Sequence, residues 1–227
     1  VKNMRNMFKS CTLLNSIQIN NDNFDTSSVI DMQEMFSGCS KLKNFNPDFD
    51  THNVKNMNSM FNGCSSLNTL NFNNKFDTSS VTDMHRMFAG CSGLNSIYLT
   101  YFNTEQVTDM NNMFARCSQL RSLDINNFVT SKVTNMKSMF YNCYNLKSLN
   151  LNFDTSKVID MNSMFYGCYN LISLDTSKFN IGSTTNISHM FHGCNSIKTL
   201  NLDNFNTKNV KDMRYLFSNC RSLNSLD

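Results

Sequence analysis

Apolar residues recur along the chain in blocks that repeat about every 26 residues. Aligned on cysteine, a block reads F-x-T-x-x-V-x-[DN]-M-x-x-M-F-x-x-C-x-x-L-x-x-L-x-L. Length changes fall only between Cys and the next leading Phe. Because a fixed period of this size is typical of solenoids, we interpret each block as one coil. The coils are numbered by their cysteines, from coil 1 to coil 9: Cys11, Cys39, Cys64, Cys91, Cys117, Cys143, Cys168, Cys194 and Cys220.

The end of each block predicts a short strand. In Leu94 to Leu99 the last two apolar residues, Ile97 and Leu99, alternate with Tyr98, which is the period of a half-buried strand. Stacked coils would pair these strands into one parallel sheet. At about 4.8 Å per strand, nine coils predict a sheet about 40 Å across.

The middle of each block predicts a short helix. Between Asp31 and Gly38, apolar residues three and four apart follow a carboxylate that can cap a first turn. Asp or Asn holds this capping position in every coil, and Gly or Asn closes the segment in seven of nine, as with Gly38 and Asn142. We therefore predict an α/β repeat: a right-handed leucine-rich-repeat solenoid with one short parallel strand and one short helix per coil. Residues 1–227 would form a single domain of about nine coils.

The remaining apolar residues fit the same lattice. All sixteen Met lie in two columns, where a column is one position repeated through successive coils, and all nine Cys lie in a third. Stacking covers each such residue with its equivalents above and below. The strand spacing does not strictly forbid disulfides between neighbouring coils, but the apolar setting favours reduced, buried thiols. Zinc is disfavoured because no C-x-x-C pair occurs.

Two polar columns flank the leading Phe. Asp25, Asp50, Asp77 and Asp154 follow it and could be read as calcium ligands, but Val129 in the same column favours turn-forming Asp. The next position is mostly Thr, which we expect to form a hydrogen-bonded column: Thr26, Thr51, Thr78, Thr104, Thr130, Thr155 and Thr207.

Net charge, hydropathy and motifs limit the classes of function that the chain can have. A net charge of +3 with interspersed acidic residues lacks the footprint of a nucleic-acid binder. No apolar run is long enough to cross a bilayer and no signal peptide opens the chain, whose Val1 lies inside a repeat. We expect a fragment of a longer surface protein, with a membrane or wall anchor outside it.

No sequence motif suggests a nucleophile, phosphate loop or cofactor, so the chain is predicted not to be an enzyme. His189 and His192 could chelate, but no acidic or Cys partner recurs nearby, so no metal is predicted.

Binding residues are sought where a column departs from its own pattern. Four tyrosines of coils 6 and 7 replace Ser, Asn or Ala, and His192 continues one of their columns. They would form a contact patch, because Tyr is a favoured interface anchor. They could equally cover a coil junction. The residues are Tyr141, Tyr144, Tyr166, Tyr169 and His192.

The exposed strand face offers a second candidate. Tyr98 breaks a polar column, and Tyr101 lies nearby. Such a hydrogen-bonding face suits protein or glycan partners, although an ordinary solvated face explains it equally well. The further candidates on it are Arg121, Asp124, Lys147, Asn150 and Asp175.

The string FDTSSVTDMHRMFAGCSGL, which begins at Phe76, recurs with few changes in every coil. It resembles the 26-residue bacterial surface protein repeat of the BspA-like leucine-rich-repeat class, over essentially the whole chain. The resemblance implies an extracellular, lipid- or wall-anchored protein that adheres to host or neighbouring cells through a protein or glycan. The alternative is a structural spacer that presents other domains.

Overall fold

The chain is a solenoid of nine stacked coils in the computed structural model, which describes residues 1–19 and 24–226; residues 20–23 and Asp227 lie outside the described part. Parallel bridges join the Asp or Asn column of each coil to that of the next, from Asn3↔Asp31 to Asn186↔Asp212. One apolar cluster runs through the coils from Met4 to Leu200. The repeat solenoid predicted from the period is therefore confirmed, while its hand stays a prediction.

Short parallel strands form at the predicted end of most coils. Each pairs column to column with its neighbour, as in Leu70↔Ile97, so that the inward apolar residues stay in register. Within the described residues the strands make three sheets, β1-β2-β3, β4-β5 and β6-β7, so the single continuous sheet was a wrong prediction. Coil 5 contributes no strand there, and β5 does not pair with β6. The strands are β1 Asn44–Phe45, β2 Thr69–Asn71, β3 Ser96–Tyr98, β4 Ser148–Leu149, β5 Ser173–Leu174, β6 Thr199–Leu200 and β7 Ser225–Leu226.

The helix predicted in every coil is wrong. Between Asp31 and Cys39 the chain instead makes successive turns, in which the Met35 N–H donates to the Met32 carbonyl at 3.2 Å. The N–H groups between these turn bonds donate to the next coil, as from Phe36 to the Met60 carbonyl at 2.9 Å. Hydrogen bonds between coils thus replace the i→i−4 bonds that a helix would need. In the described part of the chain the only helix is the 3₁₀ turn Thr207–Asn209, and no helix there could cross a membrane.

Two left-handed columns impose these turns. Counting from the Cys of each coil, position −1 has positive φ throughout, as the Gly and Asn there predicted, and even Arg116 adopts 63°. Position −5 is also left-handed in every coil, with φ of 55° at Glu34. A positive φ at the third residue of a hydrogen-bonded turn is the type II arrangement, which no helix interior tolerates. The Asp31 carboxylate accepts the Gln33 N–H at 2.9 Å and so closes an Asx turn rather than a helix cap.

Phenylalanine and cysteine columns fill the interior. Nine Phe rings, from Phe8 to Phe217, stack through the coils with centroids 5.2–5.9 Å apart. The cysteines are free, and seven of them are buried. The Cys117 Sγ donates to the Phe88 carbonyl of the preceding coil at 3.2 Å, and the pattern recurs along the column. Each thiol therefore acts as an apolar filler that also satisfies one backbone carbonyl.

The threonine column is hydrogen-bonded between coils at six of the seven predicted residues, whereas the Thr207 hydroxyl, in the last coil, makes no such bond within the described residues. The Thr104 hydroxyl donates to the Val129 carbonyl at 2.9 Å and accepts the Val129 N–H at 2.8 Å. Equivalent bonds begin at Thr26, Thr51 and Thr78, and at Thr130 and Thr155. The preceding Asp residues close Asx turns on their own backbone, which confirms the turn-forming interpretation.

Replacing Thr104 by Val tests this column. The methyl group preserves the shape of the side chain, but two backbone groups of Val129 lose their partner at a position where Thr104 is 1% exposed. We expect a loss of about 2 kcal/mol in the free energy of unfolding, measured by urea denaturation. Thr108→Val is the matched control, because that hydroxyl is exposed and makes one bond; an equal loss in both variants would contradict the prediction.

Candidate binding surface

The tyrosines of coils 6 and 7 form two stacked columns. The Tyr141 and Tyr166 rings lie 4.8 Å apart at 15°, and the Tyr144 and Tyr169 rings 5.1 Å apart at 4°. His192 continues the first column, with its ring 4.6 Å from that of Tyr166 and nearly parallel to it. The structure therefore brings together the five residues selected from the sequence, in the two columns where the repeat places them.

The two columns differ in exposure. Tyr144 and Tyr169 are exposed, at 37% and 43%, whereas Tyr141 and Tyr166 are half-buried. The Tyr169 ring leans over the next coil, where its Cε1 atom comes within 3.1 Å of the place that a Cβ on Gly193 would occupy. Since rings stacked along the solenoid cover one another's faces, the columns present ring edges and hydroxyl groups to a partner.

Two aromatic residues extend the surface beyond the predicted set. The His189 ring stacks on the Tyr215 ring at 4.8 Å and lies 5.8 Å from the His192 ring. Both occupy position −5, which alongside position −2 faces outward. Sequence reasoning missed Tyr215 and considered His189 only with His192, as a possible chelating pair. Position −5 varies freely among the coils, so no column departure marked it.

Burial lowers the pKa of His192 below its usual value, and the neighbouring His189 adds to this. The Nδ1 atoms of His189 and His192 are buried and make no hydrogen bond within the described residues. Burial has this effect on the pKa because it disfavours the charged imidazolium form. The described residues contain no group of three or more His, Cys, Asp or Glu that could hold a metal ion.

The strand-face candidates are exposed and lie at the interruptions of the sheet. Tyr98, 65% exposed, and Asp124 line a cleft of about 390 Å³ where coil 5 leaves the sheet. Asn150 and Asp175 line a second cleft of about 430 Å³, at the gap between β5 and β6. Tyr101 is 53% exposed beyond β3.

The charged groups of this face are only partly available to a partner. The Asp175 carboxylate accepts the Ser177 N–H at 2.9 Å, and hydrogen bonds from the Ser177 side chain and backbone lower its pKa. Asp124 accepts the Asn126 N–H at 3.2 Å. Both acids therefore close turns of their own chain. Arg121 and Lys147 are exposed on neighbouring coils.

Comparison with protein families shows where the repeat belongs. The model of one family matches residues 1–75, 68–171 and 148–226, and its description is "Mycoplasma protein of unknown function, DUF285". The chain belongs to this family. The three matches to DUF285 together cover all nine coils.

Solved structures similar to this DUF285 chain are repeat proteins. A leucine-rich repeat protein from Bacteroides ovatus is 21% identical, with a TM-score of 0.46 over 87% of this chain and 58% of that one. A leucine-rich cell surface protein from Faecalibacterium prausnitzii is 18% identical, with a TM-score of 0.43 over 100% of this chain and 69% of that one. A third, in a TLR13–ssRNA13 complex, is 16% identical, with a TM-score of 0.41 over 88% of this chain and 31% of that one. No curated protein matches the sequence.

Proposed function

We infer that this chain is a non-catalytic recognition module, which binds a protein or glycan on a host or neighbouring cell. Residues 1–227 would act as one domain of an extracellular surface protein of the BspA-like class, with its lipid or wall anchor outside this segment. The paired tyrosine columns with His192 would form the contact surface. The strand face, with Tyr98, Tyr101 and its flanking charges, would be secondary.

The observation that carries this proposal is the tyrosine ladder, formed by the stacked columns of Tyr141 with Tyr166 and of Tyr144 with Tyr169. The fold does not need aromatic residues at position −2, because coils 2 to 5 hold Ser37, Asn62, Ala89 and Ala115 there and stack equally well. Aromatic rings at a surface position where Ala suffices expose apolar area without building the core. Large amphipathic rings bury much area at little entropic cost when a partner binds.

The double variant Tyr141→Ala, Tyr166→Ala tests the proposal. Alanine is the native residue of the same column in coils 4 and 5, so the fold should persist. We expect attachment of the labelled domain to host cells, measured by flow cytometry, to weaken about tenfold or more, as loss of an interface anchor does. Ile30→Ala, which removes an exposed apolar side chain of coil 2 outside both candidate surfaces, is the matched control.

Unchanged attachment of the double variant would remove the ladder from the contact surface. The spacer alternative predicts another result: the wild-type domain attaches to no cell, and deletion of a whole coil leaves the function of the parent protein intact.

A further inference from the structure

A groove crosses coils 3 to 6 next to the tyrosine ladder. Its volume is about 540 Å³, which lies within the range of ligand sites. Small residues line it, namely Gly63, Ala89, Gly90 and Ala115. Ala89 and Ala115 hold position −2, where coils 6 to 8 carry rings. The change from small residues to Tyr at position −2, between Ala115 and Tyr141, gives the groove its end wall.

Two arginines make the groove basic. Arg86 and Arg116 both line it, and no acidic residue does. Both side chains are exposed, and among the described residues neither guanidinium makes an ion pair or a side-chain hydrogen bond. Two basic residues of the equivalent turns in other coils do have acidic partners: Arg214 pairs with Asp212 at 2.8 Å, and Lys9 pairs with Glu34. Arg86 and Arg116 are therefore free to bind an anion.

Tyr141 supplies the apolar end wall. One face of its ring is covered by Tyr166, and the other is turned toward coil 5, where the equivalent residue is only Ala115. Among the position −2 rings, Tyr141 thus has a face open to the groove. The remaining lining residues, Asn62, Asn112 and Ser138, add amide and hydroxyl groups.

We propose that this groove binds a carboxylate-bearing oligosaccharide. Arg86 and Arg116 would hold the carboxylate of an acidic sugar through paired N–H···O bonds, which the guanidinium fork matches. A neighbouring sugar ring would lay its C–H face against the open face of Tyr141, with its hydroxyls on Asn62, Asn112 and Ser138. This assignment rests on the proposed recognition function and names the ligand class.

The lining favours a glycan over an acidic peptide. Peptide and protein partners draw their affinity from apolar anchors that enter pockets. Apart from the Tyr141 ring, this groove has no apolar side chain larger than Ala. A row of hydrogen-bonding groups ending at one aromatic face matches the alternating hydroxyls and C–H faces of a sugar chain.

The variant Arg86→Asn, Arg116→Asn removes the charge with little change to the fold. Asn is native in both columns, at Asn112 in position −5 and at Asn142 in position −1, and it tolerates positive φ better than Arg. Hyaluronan tetrasaccharide is the probe, with affinity measured by isothermal titration calorimetry. We expect at least a tenfold loss of affinity in this variant and in Tyr141→Ala, with the melting temperature unchanged. Arg5→Asn, at an exposed position of coil 1 outside both candidate surfaces, is the matched control and should bind like wild type.

Three further probes separate the possible ligands. Neutral chitotetraose should bind at least tenfold more weakly than hyaluronan tetrasaccharide. Equal binding of hexaglutamate, or binding of heparin tetrasaccharide alone, would overturn the assignment, as would hyaluronan binding that the Arg variant leaves unchanged. If the wild-type domain attaches to cells but binds no hyaluronan tetrasaccharide, the ligand class is wrong while the recognition function stands.

Discussion

Phe114→Ala is expected to destabilise the solenoid by about 3–5 kcal/mol, a large share of the stability of a domain of this size. The Phe114 ring is fully buried and stacks on Phe88 at 5.5 Å and on Phe140 at 5.8 Å. Truncation removes both stacking contacts and leaves a cavity that the rigid coils on either side cannot fill. Urea denaturation followed by far-ultraviolet circular dichroism measures the loss.

The position of the cavity should also change how the protein unfolds. In a solenoid each coil contacts only its neighbours, so a weak interface in coil 5 uncouples the coils before it from those after it. We expect the single transition of the wild type to become broader or biphasic. Phe217→Ala is the matched control, since that ring is half-buried and stacks on Phe191 at the end of the column. A loss as large in Phe217→Ala would contradict nearest-neighbour stacking.

The coil period and its interior could be predicted from the sequence because each buried column holds one residue type. Met, Phe and Cys recur at fixed spacing, and the structure buries them as predicted in coils 3 to 8. In coil 2 Phe24 is half-buried, and in the terminal coils Met7, Cys11 and Met213 are exposed. The left-handed residues at position −1 were also predictable, because Gly and Asn mark most of them. These features share a local chemical cause that one sequence displays.

The helix prediction was wrong because the sequence does not reveal the alternative structure, a chain of type II turns. Apolar residues three and four apart fit both a helix and a chain of type II turns. Position −5, whose positive φ decides between them, holds residues such as Glu34, Ser59 and Arg86, which carry no left-handed signature. Hydrogen bonds to the next coil hold that conformation, so the deciding interaction is tertiary.

One candidate site could likewise be predicted from the sequence, and the other could not. Tyr141, Tyr144, Tyr166 and Tyr169 stood out because they break the composition of their columns. The groove did not, since small residues form it and its two arginines lie in different columns of different coils. A groove lined by small side chains can be recognised only when the structure shows which residues of neighbouring coils lie side by side.

The buried thiols predict the second large effect, a loss of stability at alkaline pH. Burial, with a smaller effect of the neighbouring Cys11, raises the pKa of Cys39 to about 11, and burial raises that of Cys143 to about 12, from a usual value of 9.0. Burial likewise raises the pKa of Cys91, Cys117 and Cys168. Below pH 9 the thiols are protonated in both states and the full stability is present. As the pH rises above 9, the unfolded chain loses protons that the folded chain keeps, so stability falls.

Each buried thiol should cost about 1.4 kcal/mol per pH unit in this window, and seven buried thiols together about 10 kcal/mol at pH 10. That sum approaches the whole stability of an ordinary domain, so unfolding is expected near pH 10. Urea denaturation between pH 8 and 10.5 measures the slope. The variant Cys91→Ala, Cys117→Ala, Cys143→Ala keeps every Lys and Tyr, so its slope should fall by about three sevenths. Equal slopes in the two proteins would show that the thiols do not govern the alkaline limit, and that the Cys column contributes only its packing and its hydrogen bonds to the preceding coil.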